Sequence, residues 1–244
     1  MIKKIILFII GIFDFFHQRR IIASIKKRGF KKINTFLDVG AHKGESINFF
    51  LKNMEIKKII SFEASPLNFE ILKKNRNKYL EKFPNTEIII ENIALGFENK
   101  EVLFKQFNES SSSTLSEINE QSKYFKKKFK VLNFFSNKKI YKTIKIKVET
   151  LSDYLDKNNI NRVGFLKIDT EGYEYEILKG MVNKIKSVDI IMFEHHYDNM
   201  IKKNYTFNDI NELLKQNSFK QIYKSKMPFR KTFEYIYCKG ELLH

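Results

Sequence analysis

The stretch Asp38-Val-Gly-Ala-His-Lys-Gly44 is the strongest structural signal in this chain. An apolar run at residues 33–37 precedes it, and residues 45–54 behind it carry apolar side chains at helical spacing. This order predicts a buried strand, a glycine turn and a helix. Because glycine has no Cβ and tolerates unusual backbone dihedrals, the turn lets the main chain come close to a ligand.

Strand and helix patterns alternate along the rest of the chain. Such alternation predicts a parallel sheet with helices on both faces. In sheets of this kind, ligands bind beyond the carboxyl ends of the strands, near the point where the strand order reverses. Four of the predicted strands end in an acid, namely Asp38, Glu63, Asp169 and Glu194. We therefore expect four carboxylates to converge on one rim of the sheet.

The chemistry of the turn favours a cofactor without phosphates. Its spacing differs from Gly-x-Gly-x-x-Gly, since His42 stands where that pattern has its second glycine, and no phosphate-loop Gly-Lys-Ser/Thr occurs there. A dinucleotide would fit poorly, whereas the amino acid end of S-adenosylmethionine can meet backbone groups of such a turn. We expect that cofactor to contact Gly40, His42 and Gly44, together with Asp38 at the strand end.

Further cofactor contacts are expected at the next two strand ends. Glu63 lies roughly 20–25 residues beyond the glycine turn, where a carboxylate can accept hydrogen bonds from both ribose hydroxyls. Asn92 and Ala94 follow the third predicted strand and are expected beside the adenine ring. For Asn92, an ordinary role as a turn residue is the alternative.

The composition is that of one folded α/β domain. The 244 residues are 43% hydrophobic and 30% charged, which allows a full core and excludes a disordered chain. The single cysteine permits no intrachain disulfide and fits a reducing, cytoplasmic location. The net charge of +17 suggests nucleic acid or an anionic membrane as partner. We favour a lysine-rich composition with a solvated basic face, since the lysines are scattered through the chain.

Residues 1–31 form a basic, apolar segment ahead of the domain expected at residues 32–244. Its apolar run is shorter than the about 20 residues that a membrane-spanning helix needs. No small-x-small cleavage site follows, which disfavours a signal peptide. Two interpretations remain open: a helix that packs on the domain, or peripheral membrane contact through residues 1–30 with basic flanks toward anionic lipid.

A polar insertion rich in serine and lysine interrupts the domain at residues 108–142. Connections of this length are usually functional or mobile. Ser112 and Ser113 lie near its start, where they could contact an acceptor molecule; a flexible linker is the alternative.

A second motif, Leu166-Lys-Ile-Asp-Thr-Glu-Gly-Tyr-Glu174, completes a resemblance to the FkbM-type methyltransferases that begins at the glycine turn. The resemblance covers residues 32–196. It implies the class I methyltransferase fold, a Rossmann-like, doubly wound and mostly parallel sheet of seven strands. It also implies S-adenosylmethionine as the methyl donor and a hydroxyl group on a sugar or natural product as the acceptor.

Acidic and imidazole side chains at the last two parallel strand ends are the candidates for catalysis. Asp169 is the first choice for the base or the acceptor-orienting group, with Glu171 sharing that role; a helix N-cap is the alternative for Asp169. Glu194 is expected to bind the acceptor, and His195 and His196 to act in catalysis at the same cleft. No metal is expected, although Asp169, Glu171 and His195 holding Mg²⁺ is a less favoured alternative.

The sequence thus predicts an S-adenosylmethionine-dependent O-methyltransferase that acts on a saccharide or another hydroxyl-bearing acceptor, in surface glycan biosynthesis. It would work in the cytoplasm or at the inner face of the membrane. Two alternatives stay open: a nucleic-acid methyltransferase, and a non-catalytic membrane-associated scaffold with the same fold. Nucleic acid is the less favoured partner, since the Asn/Asp-Pro-Pro-Tyr sequence common in base methylation is replaced here by Asp-Thr-Glu-Gly at residues 169–172.

Overall fold

A seven-stranded sheet forms the centre of the computed structural model, which describes residues 16–107, 114–123, 125–126, 141–181, 183–228 and 230–243. In chain order the strands of these residues are β1 (Lys32–Val39), β2 (Glu55–Phe62), β3 (Glu87–Glu91), β4 (Ala94–Gly96), β5 (Lys100–Phe107), β6 (Glu117–Ile118), β7 (Tyr141–Thr150), β8 (Val163–Ile168), β9 (Val188–His196), β10 (Ile201–Lys202), β11 (Phe219–Lys226) and β12 (Thr232–Lys239). The helices are α1 (16–27), α2 (Glu45–Asn53), α3 (Pro66–Lys82), α4 (Leu151–Lys157), α5 (Glu174–Lys179) and α6 (Phe207–Gln216).

The main sheet has the strand order β11-β12-β9-β8-β1-β2-β3. Strands β3, β2, β1, β8 and β9 are parallel, and β12 is antiparallel to both of its neighbours. This arrangement confirms the expected doubly wound, mostly parallel sheet of the class I methyltransferase type. The strand order reverses between β1 and β8, so that the carboxyl ends of these two strands border the switch point where ligands bind.

Two smaller sheets cover the carboxyl edge of the main one. Strand β7 pairs with β4 on one side and β5 on the other, and β6 pairs with β10. The first of these sheets brings Phe104, on β5, to the cavity described below. Most of the insertion at residues 108–142 lies outside the described residues.

The core lies on both faces of the main sheet because successive side chains of a strand point to opposite faces. On β8, Phe165 packs against Phe36 and Phe50 on the α2 face, whereas Leu166 belongs to the cluster on the other face. Burial of each such side chain stabilises the fold by about 1.5–3 kcal/mol. The two clusters hold the strands of the main sheet, and with them the polar residues at the strand ends, in place.

Helix α1 packs on the domain, which is one of the two interpretations of the N-terminal segment. Ile21 and Ile25 are buried in the α2-face core, and the Arg28 guanidinium donates a hydrogen bond to the Ile222 carbonyl of β11 at 2.9 Å. The apolar run at residues 5–13 lies outside the described residues. None of the helices in the described part of the chain is long and apolar enough to cross a bilayer.

One helix is shorter than its sequence pattern suggests. The apolar periodicity predicts a helix over residues 173–185, but α5 ends at Lys179. At the next residue, Gly180, a Cβ would lie 2.0 Å from the Gly96 carbonyl oxygen. Gly180 thus lies directly against the backbone of β4, a contact that only glycine permits.

Candidate active site

The glycine turn joins the carboxyl ends of three strands. The amides of Gly40 and Ala41 donate hydrogen bonds to the Phe62 carbonyl at 2.9 and 3.0 Å. Gly40 has a φ of +82°, and a Cβ at this position would lie 1.9 Å from the Asp169 carbonyl oxygen. Only glycine fits, because both the backbone conformation and the contact with β8 exclude a side chain. Gly44 is the N-cap of α2, in the left-handed conformation.

Glu63 is held in a fixed orientation at the end of β2. One carboxylate oxygen accepts a hydrogen bond from the His42 amide and the other from the Ser65 amide, both at 2.8 Å. The Asn92 side chain donates a hydrogen bond to the Glu63 backbone carbonyl at 2.7 Å, so Asn92 helps to hold the backbone of Glu63. Burial raises the pKa of Glu63 to about 7, although the two amide donors act in the opposite direction. The Asn68 side chain also hydrogen-bonds this carboxylate, so three donors use most but not all of its roughly four acceptor positions.

A cavity of about 490 Å³ opens at the carboxyl ends of β1, β2, β8 and β9, which is within the usual range for small-molecule sites. The site residues predicted from sequence that line it are Gly40, His42, Glu63, Ala94, Asp169, Glu171 and Glu194. Next to Glu63 the wall is apolar, formed by Phe62, Ile93 and Leu95. A carboxylate that can accept further hydrogen bonds, next to an apolar wall, suits a nucleoside. The ribose hydroxyls can donate hydrogen bonds to the carboxylate, and the flat base can pack on the apolar wall.

Of the four carboxylates expected at the rim, three line the cavity and one lies below it. Asp38 is fully buried, and its Oδ1 lies 3.4 Å from the ammonium of Lys167, which is itself 3.2 Å from Oδ2 of Asp169. Burial raises the pKa of Asp38, with Lys167 opposing. Burial alone would lower the pKa of Lys167, but the two carboxylates raise it. Asp38, expected to contact the cofactor, instead balances the charge of a buried lysine.

His196 lies behind the cavity and contacts two of its acids. Its Nε2 is 3.2 Å from Oε1 of Glu194 and 3.4 Å from Oε2 of Glu171, and its Nδ1 is 3.2 Å from the Thr232 hydroxyl. Burial alone would lower the pKa of His196, but Glu171, Asp198 and Glu194 raise it well above its ordinary value. Burial also raises the pKa of Glu194. A charged imidazole here would orient both acids.

His195 points to the opposite face of β9, because neighbouring side chains of a strand alternate. Its ring packs edge-on against Tyr197, Tyr205 and Phe207, with ring centroids 4.8–5.9 Å away. Burial, followed by the nearby Lys203 ammonium, lowers the pKa of His195 to about 3. The structure therefore does not bring His195 to the cavity.

The same alternation separates the three residues considered for Mg²⁺. Asp169 and Glu171 line the cavity, but His195 lies across the sheet from them. Within the described residues, no group of three or more His, Cys, Asp or Glu side chains could hold a metal ion. Ser112 and Ser113 lie outside the described residues. Their neighbour Thr114 lines the cavity and donates a hydrogen bond to the Glu171 carbonyl at 2.8 Å.

Sequence reasoning missed a second group of lining residues, at the two ends of the chain. Gln18 and His17 come from α1, and Glu234 comes from β12. His17 and Glu234 form a buried hydrogen bond between Nε2 and Oε2, and the Ser225 hydroxyl lies 3.2 Å from Nδ1 of His17. No local pattern signals this pair, because its members are separated by 217 positions in the chain.

A protein-family model described as "Methyltransferase FkbM domain" matches residues 38–220. Among solved structures, the methyltransferase FkbM from Methylobacillus flagellatus KT is similar, with 16% identity and a TM-score of 0.52 over 84% of this chain. This chain covers 43% of that protein, less than half of its length. Magnesium protoporphyrin IX methyltransferase (ChlM) from Synechocystis PCC 6803, solved with bound SAM, has 8% identity and a TM-score of 0.50, covering 91% of this chain and 79% of its own. At these identities the structures establish the fold alone. No curated protein matches the chain.

Proposed function

Because the chain belongs to the FkbM methyltransferase family, we propose that it transfers a methyl group from S-adenosylmethionine to a hydroxyl oxygen of a saccharide or natural product. S-adenosylmethionine is the methyl donor that this family membership indicates. The observation that carries the proposal is the Glu63 carboxylate, fixed by two backbone amides at the rim of the cavity. It supports a ribose-binding role at the position that the fold assigns to ligands.

The residues that would hold the cofactor fit its parts. Glu63 would accept the two ribose hydroxyls, and the apolar wall that includes Ala94 would flank the adenine. The turn at Gly40 and His42 would meet the amino acid end. When bound, S-adenosylmethionine supplies a methyl carbon whose bond to sulfur breaks as a bond to the acceptor oxygen forms.

The chain must position the acceptor hydroxyl and remove its proton. We assign this role to Asp169, which lines the cavity at the carboxyl end of β8 and is held by Lys167 at 3.2 Å. Its carboxylate would take the hydroxyl proton as the oxygen gains the methyl group. A positioned base typically adds about 10²–10⁴-fold to the rate, and correct orientation can supply about 7–11 kcal/mol. Glu171 and Glu194, backed by His196, would orient the acceptor.

The charge of the cavity favours a neutral acceptor. Its lining holds six carboxyl side chains against the two permanent cations Lys167 and Arg230: Glu45, Glu63, Asp169, Glu171, Glu194 and Glu234. Burial raises the pKa of Glu63 and of Glu194 and so reduces their charge. The other four acids still outnumber the two cations and would repel phosphate groups, which argues against a nucleic-acid acceptor despite the net charge of +17. We therefore favour a saccharide, carried on a surface glycan or its lipid-linked precursor and methylated in the cytoplasm or at the inner face of the membrane.

A labelled-methyl transfer assay tests the proposal. The full chain is incubated with methyl-labelled S-adenosylmethionine and extracted cell glycans, and mass spectrometry identifies the product. We expect label in a methyl ether of a saccharide. Label in RNA that disappears at high salt would support the nucleic-acid alternative instead. Failure to bind S-adenosylmethionine by calorimetry would support the non-catalytic scaffold.

A further inference from the structure

The residues that line the cavity come from two different parts of the sequence. The residues proposed to hold the cofactor all lie within positions 38–220, which the family model matches. A second set of lining residues lies outside that range, and we call it the flanking wall: His17, Gln18, Met227, Arg230 and Glu234. Strands β2 and β12 are four positions apart in the sheet. At the usual strand spacing, Glu234 on β12 is therefore about 19 Å from the end of β2, where Glu63 lies.

The His17–Glu234 pair fixes the flanking wall in place. His17 is 4% exposed and Glu234 is 7% exposed. One imidazole nitrogen of His17 bonds Glu234 on β12, and the other lies 3.2 Å from the Ser225 hydroxyl on β11. The ring is thus held from both sides and joins α1 to the antiparallel edge of the sheet. A buried, hydrogen-bonded polar pair of this kind at a cavity surface is preorganised for recognition.

The flanking wall is also connected to the proposed base. Lys167 lines the cavity and holds Asp169 at 3.2 Å. The Glu234 carboxylate is close enough to help raise the pKa of Lys167. Glu234 lies opposite Glu194 in the pairing of β12 with β9, and both line the cavity, so a molecule bound against Glu234 lies on the Glu194 side of the cavity, away from Glu63.

We propose that the flanking wall is the acceptor subsite, in which Glu234, held by His17, and Gln18 hydrogen-bond the hydroxyls of a neutral saccharide and Met227 packs on an apolar ring face. This inference rests on the proposed function and adds the residues that select the acceptor. Gln18 supplies both a donor and an acceptor group, as Glu234 supplies acceptor oxygens, so the wall matches a molecule rich in hydroxyls. His17 acts as a positioning residue for Glu234.

Substitutions at the pair test this assignment in the full chain. His17→Ala removes the partner of Glu234, whereas His17→Gln keeps an amide that can donate to it. Lys26→Ala is the matched control, since Lys26 lies on the same helix but is exposed to solvent. The acceptor probe is the extracted glycan mixture, assayed at limiting concentration. Calorimetry separately measures the affinity for S-adenosylmethionine.

We expect His17→Ala to raise the apparent KM for the glycan at least about tenfold, the loss of a hydrogen bond to a charged group. The affinity for S-adenosylmethionine should stay within about twofold of the wild type, and His17→Gln should recover part of the loss. Lys26→Ala should match the wild type in both measurements. If His17→Ala does not fold, as judged by its melting transition, His17→Gln and Glu234→Gln decide the question. For these variants too, the KM for the glycan is compared with the affinity for S-adenosylmethionine.

The assignment is overturned if these variants keep an unchanged KM for the glycan, or if they weaken cofactor binding as much as acceptor binding. The proposed function fails separately, when the wild-type chain transfers no methyl group to a glycan or does not bind S-adenosylmethionine. A wild-type chain that methylates glycans, with variants that leave the KM unchanged, contradicts the acceptor subsite alone.

Discussion

Lys167 and Asp169 face each other at the end of β8, with Nζ of the lysine 3.2 Å from Oδ2 of the aspartate. The same ammonium lies 3.4 Å from Oδ1 of the fully buried Asp38. One buried cation therefore balances a carboxylate below the cavity and another on its surface. This arrangement links the stability of the sheet to the charge of the site.

Lys167→Met should destabilise the protein strongly, because it leaves Asp38 buried without a counter-charge. Removal of one partner of a buried ion pair costs about 3–5 kcal/mol. Urea unfolding measures the change. Lys58→Met is the matched control, since Lys58 pairs with the exposed Glu87 at 3.2 Å and should cost no more than about 1 kcal/mol. Equal losses in the two variants would contradict the role of Lys167.

Gly40→Ala should abolish cofactor binding and destabilise the fold by several kcal/mol, because its Cβ would overlap the Asp169 carbonyl oxygen at 1.9 Å. Gly29→Ala is the control. Gly29 has a φ of +87° but nothing within 4 Å of the added Cβ. Only backbone strain of about 1–2 kcal/mol is expected there. Thermal unfolding and calorimetry with S-adenosylmethionine compare the two; similar behaviour would mean that the contact with β8 is unimportant.

Glu63→Ala should weaken the binding of S-adenosylmethionine by about 10- to 100-fold, the effect of losing hydrogen bonds to a charged group. Calorimetry measures the affinity. Glu87→Ala, at an exposed position on β3, should bind the cofactor like the wild type. Unchanged affinity in Glu63→Ala would remove Glu63 from the cofactor site.

The pKa of Glu63 predicts how cofactor binding depends on pH. Burial raises this pKa from 4.5 to about 7, so the carboxylate that we propose accepts the ribose hydroxyls is lost as the pH falls below about 7. Affinity for S-adenosylmethionine should therefore fall between pH 8 and pH 6. The unliganded protein should behave in the opposite sense: the raised pKa contributes stability below pH 4.5, and this is lost as the pH rises through 7. Calorimetry across this range measures the affinity for S-adenosylmethionine, and urea unfolding measures the stability of the unliganded protein. In Glu63→Gln both quantities should depend less on pH.

Asp169→Asn should lower turnover by about 10²–10⁴-fold with little change in the affinity for S-adenosylmethionine, because the amide cannot take the proton of the acceptor. His195→Phe is the control: its ring lies among aromatic side chains on the other face of β9, so turnover should be retained. The labelled-methyl assay measures both variants. Normal turnover in Asp169→Asn would exclude Asp169 from the mechanism.

The parts of the site that are local in sequence could be predicted from it. The turn from β1 to α2 follows from glycine positions and apolar spacing, and the parallel sheet follows from the alternation of patterns. Glu63 and Asp169 lie at the cavity because they end parallel strands, a position that the sheet type dictates. Asp38 also ends a strand, but its side chain is directed below the rim, toward Lys167.

Other features depend on tertiary contacts that no short pattern records. The two-residue period of a strand predicts that His195 and His196 face opposite sides, but not that His196 lies against two acids of the cavity while itself lying behind it. The close approach of Gly180, the residue after α5, to the backbone of β4 is one such contact. The partnership of His17 and Glu234 requires that α1 fold back onto β12, at the far end of the chain.

The placement of the flanking wall has a consequence for protein engineering. The residues proposed to hold the cofactor lie within positions 38–220, whereas the flanking wall comes from segments on either side of that range. If the flanking wall selects the acceptor as proposed, exchange of these segments between members of the family should change the acceptor while the affinity for S-adenosylmethionine is retained. Chimeras that swap residues 16–27 together with 227–236 are the natural way to engineer new regioselectivity.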